Sequence, residues 1–165
     1  MRKRPVIYDV IQDKLHQSAE KWVFRTIGRQ LTDKEDTGAY VVAMDITDPT
    51  LPYLIGAVLA GFIVEPNNSA RYLSLAQEKC TRLALHPEHI SSAQSADESA
   101  GQYAGAVRSD RVIDGRMIAV GTSGLLAHAD ESISAMILLD CGLCSEGYLM
   151  TITSKSHNRI LPQLF

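Results

Sequence analysis

Cysteine is scarce in this chain: there are three in 165 residues, Cys80 alone and Cys141 with Cys144 in a Cys-x-x-Cys pair. An odd, sparse count argues against a secreted disulfide scaffold. Positive charge is not in excess either. The 16 Lys and Arg stand against 19 Asp and Glu, a net charge of -3, so a global electrostatic grip on nucleic acid is not expected. No apolar run reaches the ~18 residues that a spanning helix requires, and the longest candidate, residues 54–64, is interrupted by Gly56 and Gly61. The opening Met1-Arg2-Lys3-Arg4-Pro5 is basic, but Asp9, Gln12 and Asp13 fall where a signal peptide needs its apolar core. A cytoplasmic protein without membrane contact is the expectation. Walker loop, nucleophile elbow and dinucleotide fingerprint are all missing. What is present is an ordinary globular balance, 45% hydrophobic and 21% charged, in a length suited to one domain.

Apolar positions Val10, Ile11, Leu15, Ala19, Trp22, Val23 and Ile27 recur at helical spacing, with Asp9 placed to cap the helix and Gly28 near its end. Residues 39–46 are short, apolar and β-branched, stopped by Thr47-Asp48-Pro49, and predict a buried strand. Residues 53–64 predict a second strand whose glycines suit a bulge or close packing. After Glu65-Pro66-Asn67-Asn68-Ser69, a second helix carries Ala76, Lys79 and Leu83 on one face and ends before Pro87. Residues 88–102 are rich in Ser, Ala and acids with little periodicity, which marks a functional or mobile loop and a lid candidate. Asp114-Gly115 between β-favouring runs signals a hairpin. Asp130 is placed to cap a third helix bearing Ile133, Met136, Ile137 and Leu139, and residues 148–153 read as a late strand. Strands joined by tight turns run antiparallel with helices against them, so an α/β (α+β) fold follows.

Three groups of residues carry chemistry. His128, Glu131, Cys141 and Cys144 approach the His-x-Glu and Cys-x-x-Cys pattern of zinc deaminases, although Glu131 stands one residue late and one helix spans the gap. Lys79, Thr81 and Arg82 lie in the last turns of the second helix with His86 and His89 just beyond. A cation on an otherwise apolar stripe must either snorkel or meet an anion. Lastly, Trp22, Phe24, the 160–162 segment and Leu164-Phe165 offer apolar surface for a purely structural, self-associating protein.

Two segments together resemble the GlcG/HbpS-like haem-degrading domain family. Residues 66–85, with Ala76, Lys79 and Thr81, are similar to that family's helix, and Asp114-Gly115, then Ile118-Ala119-Val120-Gly121-Thr122-Ser123-Gly124 and Asp130-Glu131 to its hairpin and closing helix. The resemblance implies a profilin-like antiparallel sheet of about five strands flanked by helices, over residues 1–144, with 145–165 as a C-terminal extension holding a possible extra strand. It further implies a small-molecule or haem-binding protein that forms a homo-oligomer. Ligand contacts are then expected at Lys79, Thr81, Arg82, His86, His89, Ser123 and Gly124. Lys79 and Arg82 would meet a small anionic ligand or haem propionates, and His86, His89 or Cys80 the iron. No resident metal is assigned outside the zinc alternative. The family's Gly-Gly-x-Pro ahead of the hairpin is absent, Ala104-Gly105-Ala106-Val107 standing in its place.

Overall fold

The computed structural model describes residues 4–165; most of the basic N-terminal cluster, residues 1–3, lies outside them. Helix α1 (Val6–Gly28) leads into strands β1 (Gly38–Asp45) and β2 (Tyr53–Gly61) and helix α2 (Pro66–Ala84). Strands β3 (Ala106–Arg108) and β4 (Ile118–Ser123) follow, then helices α3 (Ala127–Asp140) and α4 (Glu146–Ser156). The four strands form one antiparallel sheet in the order β2-β1-β4-β3. This is the α+β arrangement expected, with four strands rather than about five.

The sheet is covered on both faces because β1 and β4 alternate two apolar sets. Val41, Ala43, Ile118 and Val120 join α1 and α3 in the larger core, while Val42, Met44 and Ala119 join Ala76, Cys80 and Leu83 of α2 in the smaller one. Gly121 permits the close approach of α2: a Cβ there would stand 2.5 Å from the Ala76 carbonyl oxygen and 2.7 Å from Cys80 Sγ. The β1–β2 register slips between Ala43 and Met44, a bulge at Ile55 that the glycine-containing strand accommodates. Asp140, at the end of α3, accepts hydrogen bonds from Ser18 Oγ and Trp22 Nε1, both at 2.7 Å, and so ties α3 to α1.

Several expectations are corrected. Helix α1 starts at Val6, and Asp9 sits inside its first turn rather than at the cap. Residues 148–153 are not a strand: Ser145 caps α4 by accepting from the Tyr148 N–H, and Leu149 and Ile152 bury one face of that helix. Tertiary burial at helical spacing thus overrides the β-propensity of Tyr148, Thr151, Ile152 and Thr153. Asp114 and Gly115 do adopt positive φ, but pair only Ile113 with Arg116; the strands of that hairpin lie farther out, at β3 and β4. The 88–102 segment is fastened by two short 3-10 turns and a Ser91/Gln94 capping box, with Ser91 and Ser92 buried. Trp22, Leu161 and Leu164 are core residues, which removes them from any contact surface. No helix among the described residues is long and apolar enough to cross a membrane.

Candidate functional site

Lys79 faces the sheet from the last turns of α2 and is 2% exposed. Its ammonium reaches over Gly105, whose φ of +147° and missing side chain clear the path: a Cβ there would lie 2.6 Å from Lys79 Nζ and 2.6 Å from the Thr122 carbonyl oxygen. Lys79 Nζ donates to the Thr122 carbonyl at 2.8 Å and to Asp130 Oδ2 at 3.4 Å. The cation on the apolar stripe has met its anion. Asp130, in the first turn of α3, also accepts the Leu125 N–H on Oδ1 at 3.1 Å, which fixes the Ser123-Gly124-Leu125 turn between β4 and α3. Burial raises its carboxyl to about 6, against the opposing pull of Lys79 and the Leu125 N–H. Beneath the pair, Thr122 and Ser134 share a hydrogen bond at 2.8 Å, and Ser134 Oγ donates to the Gly105 carbonyl at 2.7 Å.

Lys79, Asp130, Ser123 and Gly124 line one cleft of about 330 Å³, with Arg71, Tyr72, Asp33 and Asp36 toward its rim. Asp36 accepts Thr32 Oγ1 at 2.5 Å, and its partial burial raises its pKa. An ammonium offers three N–H donors; two engage Thr122 and Asp130, leaving the third without an acceptor among the described residues. The cleft wall therefore carries a donor with capacity for an oxygen of a bound molecule.

The remaining expected residues lie elsewhere. Thr81 Oγ1 donates back to the Gln77 carbonyl at 3.0 Å. Arg82 is buried and donates to the Ser95 carbonyl at 3.3 Å and to that of Tyr103, with Glu78 3.4 Å from its Nε. Desolvation lowers the Arg82 pKa and raises that of Glu78. Thr81, Arg82 and His86 border a separate groove of about 350 Å³, away from Lys79. Cys80 is sealed between α2 and β4, where burial drives its thiol well above the ordinary range. Sequence grouping of 79–89 thus joins two faces of α2 that the structure separates.

The zinc alternative does not assemble. Glu131 is fully buried and accepts from Ser91 Oγ, from Ser156 Oγ at 2.5 Å and from Asn158 Nδ2 at 2.8 Å. Cys141 and Cys144 sit past the other end of α3, away from Glu131, buried, with thiols pushed up to about 11 and about 12 by desolvation. Among the described residues, the three-residue grouping that brings metal-ligand atoms together is His86, Glu88 and His89 instead. Asp130, as the partner of Lys79, and Gly105, as the opening for it, were missed from the sequence. The signal for the first was a Lys on an apolar stripe and an Asp at the start of an apolar helix.

No protein-family profile matches this chain, and no curated protein does. Among solved structures, a chain described as "Crystal Structure of HbpS" aligns with 85% of this chain and 92% of its own, at 13% identity and a TM-score of 0.47.

Proposed function

We propose that this protein is a GlcG/HbpS-like small-molecule-binding domain whose ligand is a short hydroxycarboxylate held in the Lys79–Asp130 cleft. The observation that carries this reading is the buried Lys79 ammonium at the cleft wall, with two protein acceptors for its three N–H groups. A buried donor left without a partner costs about 1–3 kcal/mol, so a ligand oxygen that accepts it gains affinity. A carboxylate suits Lys79 and the rim Arg71, and hydroxyl groups suit the carboxylates of Asp33 and Asp36. The volume, near the lower end of the ~300–1,000 Å³ seen for ligand pockets, suits a small molecule.

Haem fits these residues poorly. Lys79 and Arg82, the cations that the resemblance turns toward propionates, border different cavities, and Arg82 is taken up by the Ser95 and Tyr103 carbonyls. Self-association belongs to the same reading: β2 is an open sheet edge, with Leu54, Leu59, Phe62 and Val64 exposed along and beyond it.

Calorimetric titration with a panel of short hydroxycarboxylates tests the ligand. Arg71→Ala, at an exposed rim position, weakens binding several-fold with the fold intact, and Lys79→Met abolishes it. A panel in which no member binds, or binding indifferent to both variants, refutes the reading. A haemin titration giving a Soret shift that disappears in His86→Ala/His89→Ala would replace the hydroxycarboxylate with haem.

A further inference from the structure

The residues His86, Pro87, Glu88 and His89 make a turn directly after α2, closed by the His89 N–H donating to the His86 carbonyl at 2.9 Å. This turn is held from beneath by one buried side chain. Arg108, on β3, donates from Nε to the His89 carbonyl at 2.6 Å and from Nη2 to the His86 carbonyl at 2.9 Å, and reaches the Leu83 carbonyl as well. A planar guanidinium that binds three carbonyls fixes the backbone under both histidines, and Pro87 fixes φ between them.

On the outer side the two imidazoles stack, 4.8 Å between centroids and 15° between planes. Glu88 Oε1 lies 3.8 Å from His86 Nδ1 and 3.7 Å from His89 Nε2. These separations are too long for hydrogen bonds. They are slightly wider than the spacing of about 3.3 Å between two ligands that a tetrahedral ion with bonds of ~2.0–2.1 Å requires. All three ligand atoms lie within 4.8 Å of one another. Closing on an ion therefore needs the Glu88–histidine pairs to draw in by about 0.5 Å and the two imidazole nitrogens by up to about 1.5 Å, through side-chain rotation above the fixed backbone. The buried His89 Nδ1 has no hydrogen-bond partner among the described residues, so no competing bond opposes a small rotation of that ring.

We propose that this turn is a binding site for a divalent transition cation of the zinc type, with His86 Nδ1, His89 Nε2 and Glu88 Oε1 as ligands and water completing the shell. Two imidazoles and a carboxylate form a donor set for zinc, cobalt or nickel; calcium and magnesium, which demand oxygen ligands, are not its occupants. The site lies apart from the Lys79–Asp130 cleft and does not depend on what that cleft holds.

The test is titration of the full chain with Zn²⁺ by calorimetry and with Co²⁺ by visible absorption. One ion binds per chain in the micromolar range, and Zn²⁺ raises the thermal midpoint. His86→Ala and His89→Ala each remove a ligand and weaken binding by at least the roughly 10–100-fold that loss of an outer-shell partner costs, and Glu88→Gln weakens it less. Neither histidine belongs to the hydrophobic core, so the metal-free variants keep the wild-type circular dichroism. Absence of saturable binding overturns the proposal, as does an ion bound with undiminished affinity by the His86→Ala/His89→Ala variant.

Discussion

Asp130 and Glu131 are consecutive acids on α3, both buried, and a helix turns successive side chains about 100° apart. That rotation sends them into different halves of the molecule. Asp130 meets a lysine at the wall of a cleft, while Glu131 meets three neutral donors contributed by the 88–102 segment, by α4 and by the chain beyond it. The first borders a cavity; the second is a closed knot. Burial and charge alone do not separate them. What separates them is whether the group's partners leave any hydrogen-bonding capacity facing empty space.

The largest effect is expected where the knot is cut. Glu131→Ala orphans the Ser91 hydroxyl and removes one of the acceptors of Ser156 and Asn158, which keep the Ile152 and His128 carbonyls; with the cavity left by the buried side chain this costs about 3–5 kcal/mol. Glu131→Gln retains one acceptor oxygen and costs clearly less. Denaturant unfolding of both variants measures this; equal losses in the two would show that packing, not the hydrogen-bond network, holds α4 in place. Removal of residues 145–165 should abolish cooperative unfolding, because it deletes Ser156 and Asn158 along with the buried Leu149, Ile152, Leu161 and Leu164.

The next effect strikes the cleft side. Gly105→Ala places a methyl group 2.6 Å from Lys79 Nζ and from the Thr122 carbonyl, at a φ that L side chains rarely adopt. Strain and loss of the Lys79 contacts together cost about 2–4 kcal/mol. The same variant should lose ligand binding, whereas Glu131→Gln should keep it. If Gly105→Ala binds the hydroxycarboxylate as wild type does, Lys79 is not the contact.

How far these features were legible follows from the range of the interactions involved. The helical spacing in α1 and α2, the β1–β2 hairpin and the apolar run of α3 are local, and each emerged from the sequence with its boundaries off by a few residues. Lys79 stood out as a cation on an apolar stripe, yet its partner is 51 residues away, and Asp130 at the head of α3 reads locally as nothing more than a cap. In fact it does stabilise that turn, through the Leu125 N–H. Residues 148–153 misled because Tyr, Thr and Ile favour strands; the Ser145 cap and the burial of Leu149 and Ile152 decide for a helix. Arg82 and His86 look like neighbours of Lys79 along the chain, but the turn of α2 carries them to another groove. The Cys-x-x-Cys motif invited a joint zinc site with His128 and Glu131, which its position at the far end of α3 from Glu131 rules out.

The smallest effect concerns the charge of Asp130 itself. Its folded carboxyl titrates at about 6, above the ordinary carboxylate value, because burial outweighs Lys79. Between about 4 and about 6 the native state therefore holds a proton that the unfolded chain has released. Stability from this group is fully present below about 4 and is lost as pH rises through about 6, a change of about 1–3 kcal/mol. Asp130→Asn cannot ionise, so its stability should be flat where the wild type declines, and subtracting the two profiles isolates the group from the other carboxylates. Glu131→Gln provides the contrast: if Glu131 is only a knot, its replacement lowers stability across the whole range without removing that slope. A slope that persists in Asp130→Asn would place the titrating proton elsewhere, and the distinction between the two neighbours would then rest on geometry alone.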